Sequence, residues 1–213
     1  AGSAANAYVV SRVGLSSPEA MLVLMWWFAL LMQIPEGLEW RAVRKGRPEG
    51  RGNARLALAL NLLQPVVAVI GLMFILDGSS SLDDTTVIPP LVLLLSYGVV
   101  VATQWPSMWR DARLRPDPRG GGDVREACDH MQLRWWRGRN LMLGLYLAVF
   151  SAAFACFLPP KWAVAMGGYF FGTLLVSRGL YPCSTGSIWC WLVASGGLVV
   201  AATSKLFGPF VVA

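Results

Sequence analysis

Residues 21–76, MLVLMWWFALLMQIPEGLEW-RAVRKGRPEGRGNAR-LALALNLLQPVVAVIGLMFIL, decide the fold. Two apolar runs, 20–40 and 56–76, flank the basic turn at 41–55. Each run has about the ~20 residues that an α-helix needs to cross a bilayer core. The pair therefore reads as a helical hairpin in a membrane. Gln33, Glu36, Asn61 and Gln64 stand inside these runs. Polar groups at that depth are costly, so they turn inward and pair, or they serve a site.

Composition extends the same reading to the whole chain. Of 213 residues, 55% are hydrophobic and only 14% charged, where a soluble domain has about a quarter charged. Mean hydropathy is +0.53. The one His rules out a bis-His haem, and four Cys in this pattern do not form a disulfide scaffold. The net charge of +6 sits in segments flanking apolar runs. That is how topology is encoded, so nucleic acid is not an expected partner; membrane lipids are.

In chain order, residues 1–15 form a small polar tail whose start without Met hints at a trimmed targeting peptide. Ser16-Ser17-Pro18-Glu19 is a helix start. Span 1 covers 20–40 with a kink at Pro35, and span 2 covers 56–76. Asp84 or Thr86 caps span 3, residues 87–105, with Pro89 and Pro90 in its first turn. The segment 106–139 carries eight Arg. Its Pro- and Gly-rich first half, 106–122, reads as irregular. Val124, Cys128, Met131 and Trp135 then recur at helical spacing, which predicts an amphipathic interfacial helix over 123–137. Spans 4, 5 and 6 are placed at 140–158, 162–180 and 187–203. The expected fold is an all-α integral membrane protein: one domain of six transmembrane helices in a bundle plus that interfacial helix. Gly168-x-x-x-Gly172 and Gly196-Gly197 are expected to let helices approach closely.

Charge fixes the expected orientation. With six spans and the N-terminus outside, fifteen of the eighteen Lys and Arg lie on the inner face. Only Arg12, Lys161 and Lys205 lie on the outer one. This bias predicts an inner basic face, with both termini on the outer or lumenal side.

Depth follows from a rise of about 1.5 Å per residue. It gathers Gln33, Glu36, Asn61, Gln64, Gln104 and Arg178 into the inner half of the bilayer. Helical spacing puts Gln33, Glu36 and Trp40 on one face, and Asn61 and Gln64 on another. These six are expected to form an intramembrane polar cluster, with Glu36 and Arg178 as an ion pair. The cluster is either interhelical hydrogen-bond glue, at about 1 kcal/mol or less per contact, or an ion path or ligand anchor. Cys128, His130, Cys183 and Cys190 all map to the inner side. Their C-x-H and C-x6-C spacings are not those of zinc modules, so no metal site is expected. GGGD at 120–123 lacks the Lys-Ser/Thr of a phosphate loop. No residue is assigned a catalytic role.

Three pieces, MQxxExxxW at 32–40, NxxQP at 61–65 and GSIWCW at 186–191, resemble a group of uncharacterised multi-pass membrane proteins of giant DNA viruses and of algae and other protists. The resemblance covers about a third of the chain and supplies no catalytic residue. It implies an algal origin and, with it, a plastid or thylakoid membrane. The expected function is then a non-catalytic accessory subunit of a larger membrane complex, such as a photosystem with its antenna. In that setting chlorophyll or carotenoid would be the cofactor, with His130, Gln33, Gln64 or Gln104 as magnesium ligands and Trp26 and Trp27 against a ring. The alternative is a small ion or solute transporter or channel built on the inner polar cluster. A third option is a lipid-modifying enzyme using His130.

Overall fold

The computed structural model describes residues 18–45, 51–77, 84–112, 138–180, 189–190, 192–193 and 195–208, with the side chains of 18, 21, 40, 43–44 and 75–77 left aside. Among the described residues there is no strand. The helices are α1 (Pro18–Leu31), α2 (Gln33–Arg44), α3 (Arg51–Asp77), α4 (Asp84–Asp111), α5 (Asn140–Phe157), α6 (Pro160–Leu180) and α7 (Gly196–Phe207). Five stretches, with α1 and α2 counted as one, are long and apolar enough to cross a membrane. The interfacial helix at 123–137, the tail, Cys128, His130, Cys183 and the start of span 6 lie outside the described residues.

Prolines set the boundaries, though not where a proline first suggests. Pro35 cannot donate to the carbonyl four residues back and its ring crowds that carbonyl. The break accordingly falls at Met32, just after Leu31, and Pro35 itself is buried inside α2. Leu158, which precedes Pro159, takes an extended conformation and ends α5. Pro160 opens α6, a place where its missing N–H costs nothing.

Three boundary expectations need correction. Helix α4 begins at Asp84, so Pro89 and Pro90 sit in its second turn. It also runs through Pro106 to Asp111, where an irregular segment was expected. One lost backbone bond at Pro106 is offset by packing. Trp105 stacks on Trp109 at 5.1 Å, and the Arg55 guanidinium lies 4.8 Å over the Trp109 ring. The twelve-residue α7 likewise starts later than span 6, after a turn at Ser195.

The helices form a ring. α1 packs on α3, α3 on α4, α4 on α5, α5 on α6, α6 on α7 and α7 back on α1. α3 also touches α5 across the middle, and α2 lies along α3. At one end the start of α3 and the residue before α5 meet the end of α4, where Arg55 Nε donates to the Trp109 carbonyl and Arg139 bonds Ser107 and Asp111. At the other end Lys161 lies 5.8 Å over Phe207.

Helix α7 closes the ring on a bare backbone. A Cβ at Gly196 would sit 2.5 Å from the Trp26 ring, far inside contact distance, so only glycine admits the indole. The GxxxG of α6 does not do this. A Cβ at Gly168 or Gly172 would meet nothing within 4 Å, because Gly168 faces outward.

Candidate functional site

Three separated stretches of sequence converge on one interior site. α2 presents Gln33, Glu36 and Glu39 to the inside, because the break at Met32 lets its polar face turn onto α3. From α3 come Asn61 and Gln64, one turn apart. From the short helical segment before α7 come Trp189 and Cys190. Glu36 and Glu39 are wholly buried, and Asn61, Gln64 and Gln33 are 1%, 7% and 9% exposed.

Specific bonds hold the seam. Tyr146 Oη on α5 donates to Gln64 Oε1. Asn53 Nδ2 donates to Glu39 Oε2 at 3.1 Å. Cys190 Sγ lies 3.8 Å from Met32 Sδ, and the Glu36 carboxyl acts on that thiol electrostatically. Tyr97 Oη reaches the Leu62 carbonyl at 3.1 Å. Pro65 has no N–H for the Asn61 carbonyl, so α3 brings additional backbone polarity here.

Satisfaction is incomplete. Gln33 Nε2 and Oε1 and Gln64 Nε2 are buried with no hydrogen-bond partner among the described residues. A buried polar atom left unmatched costs about 1–3 kcal/mol, so these amides are the expensive part of the seam.

Toward the middle of the bundle the interior changes character. Tyr146 is the boundary: its hydroxyl belongs to the seam, while its ring lies 5.2 Å from Phe150 and 6.0 Å from Trp189. Beyond it Phe150 stacks on Phe170 at 4.5 Å, and Phe154 meets Phe170 edge-on at 5.8 Å. Trp189 Nε1 donates to the Phe170 carbonyl. Trp26 continues the layer against Phe154 and Tyr169. Tyr169 Oη binds Ser195 Oγ at 2.6 Å and the Leu192 carbonyl at 2.5 Å, fixing the turn before α7.

Of the six residues expected to cluster, Gln33, Glu36, Asn61 and Gln64 are buried, on α2 and α3, which pack on each other. Arg178 is exposed in the last turn of α6 and makes no ion pair with Glu36, because α6 packs mainly on α5 and α7. Gln104 sits half-buried on α4, its Oε1 without a partner among the described residues. The pigment contacts fare differently from one another. Trp26 has its faces taken by Gly196, Phe154 and Tyr169. Gln33 and Gln64 are too deeply buried for a macrocycle to approach, and Gln64 Oε1 is already engaged. Trp27 is half-buried and His130 lies outside the described residues. Sequence reasoning passed over Glu39, Asn53, Tyr97 and Tyr146. A phenol inside an apolar span needs a buried acceptor, and that question, asked of Tyr97 and Tyr146, points to α3.

No family model, curated protein or solved structure matches the chain. The site's geometry carries the functional argument alone.

Proposed function

We propose that the chain is an integral membrane protein of six spans, with basic connectors inside and termini outside, and acts as a non-catalytic accessory subunit of a larger membrane complex. The observation that carries this is the outward surface. Leu95 and Val99 on α4 are 70% and 64% exposed, and Val164 and Leu175 on α6 are 75% and 69% exposed. Exposed hydroxyls among them return to their own helix: Ser96 to Val92 O, Thr103 to Val100 O and Ser151 to Leu147 O. A surface that is apolar and satisfies its own polar groups suits lipid and flat helix–helix docking. α4 and α6 each pack mainly on two neighbours, leaving the broadest such faces.

The aromatic layer supports a static role for the polar seam. Among the described residues it lines the interior beyond Tyr146 with packed rings, which supports a seam that locks α2, α3 and α5 together. In a native gel of the source membrane in mild detergent, the 23.2 kDa chain should migrate within a larger assembly; migration alone overturns the subunit reading. Impermeant thiol labelling tests the orientation, using Gly52→Cys and Lys161→Cys in a background whose native cysteines are Ala. The two are expected on opposite sides.

A second reading, a small transporter or channel, is favoured by the two wholly buried carboxylates of Glu36 and Glu39, since intramembrane acids commonly mark ion routes. It requires flux in proteoliposomes that Glu36→Gln abolishes.

A further inference from the structure

A groove of about 280 Å³ lies between helices α3 and α4. Its walls are apolar: Ala59, Leu63 and Val66 from α3, Leu94 and Gly98 from α4, with Trp105 toward one end. Tyr97 also lines it, but its hydroxyl is turned away into the Leu62 carbonyl, leaving no polar group for a ligand along the trough. Arg55 lies one helical turn before Ala59, and Trp109 one turn after Trp105. The Arg55 guanidinium lies over the Trp109 ring and its Nε is spent on the Trp109 carbonyl. Its two terminal nitrogens have no acceptor among the described residues, and Arg110 is exposed nearby on α4.

We infer that this groove seats an anionic phospholipid, with one acyl chain along the trough and the phosphate on Arg55. The inference rests on the membrane reading above. Dimension supports it: from Arg55 to Val66 the helix rises about 16 Å, close to the ~15 Å of one leaflet's hydrocarbon. Charge supports it as well. A guanidinium held by a ring offers a fixed fork that matches phosphate oxygens, and an indole at that level suits the headgroup boundary. A zwitterionic lipid would fill the trough equally well but would set its own cation against Arg55 and Arg110.

The test is native mass spectrometry of the purified chain, with phosphatidylglycerol and phosphatidylcholine of identical acyl chains supplied in equal amounts. Wild type should retain one phosphatidylglycerol in preference, and Arg55→Gln should cut that preference about tenfold, with Arg55→Lys keeping part of it. Gly98→Phe should remove the bound lipid of either kind without lowering the melting temperature, since a Cβ at Gly98 meets nothing within 4 Å. Equal retention of both lipids by wild type, or a preference unchanged in Arg55→Gln, overturns the proposal. Carbonate extraction of the same membranes separates the two failures. A chain released by carbonate overturns the membrane reading and this inference together. A chain that stays embedded but shows no preference overturns this inference only.

Discussion

The two halves of the bundle interior are built from opposite materials. At the basic end α2, α3 and α5 are joined by Glu39–Asn53 and Gln64–Tyr146, with amides left over. Toward the middle, Phe150, Phe154, Phe170, Trp189 and Trp26 pack ring to ring with no unpaired donor except the Trp26 indole N–H. In lipid, helices gain nothing by hiding apolar surface from water, so packing and hydrogen bonds do the joining. The aromatic half supplies contact energy, and the polar half supplies register at a desolvation cost.

That contrast can be broken by measuring stability in each half. Phe170→Ala, which empties the centre of the ring stack, should cost the most, about 3–5 kcal/mol, read as a lowered midpoint in detergent unfolding. Gly196→Ala drives a methyl into the Trp26 ring and should cost about 1–3 kcal/mol. Combining it with Trp26→Leu should recover much of that loss, and failure to recover would show the damage lies elsewhere. Tyr146→Phe should cost only about 1 kcal/mol, and a double-mutant cycle with Gln64→Leu should give a coupling near 0.6 kcal/mol.

The sharpest comparison is one of sign. Gln33→Met removes an amide whose polar atoms are both unmatched among the described residues, so it should leave stability unchanged or raise it by about 1 kcal/mol. A loss as large as that of Phe170→Ala would mean the seam is held by something the bundle binds, and would revive the transport reading.

Much of this was legible in the sequence because hydrophobic length and proline spacing are local signals. The hairpin of 20–76, the boundary between α5 and α6 at Pro159-Pro160, and the burial of Gln33, Glu36, Asn61 and Gln64 follow from run length and helical phase. The rest depends on which helices are neighbours. Glu36 and Arg178 share a depth, yet α2 and α6 are not adjacent in the ring. Gly168 and Gly172 have the spacing of a contact motif but no neighbour within 4 Å of a Cβ among the described residues, while Gly196 acquires its role from an indole 170 residues earlier. The Pro and Gly content of 106–122 is visible in sequence and reads as irregular, whereas the Trp105–Trp109–Arg55 stack that carries α4 onward through Pro106 is not. Tyr146 was missed for the same reason, since its acceptor is 82 positions away.

The seating of Trp26 on Gly196 has a consequence for biogenesis. A ribosome delivers α1 long before α7, so the indole stays without its final neighbour until Gly196, 170 residues later, has been synthesised. Ring closure therefore waits for the synthesis of every other helix in the ring. A chain stalled or truncated before residue 196 would leave that aromatic surface open to lipid or to quality-control machinery.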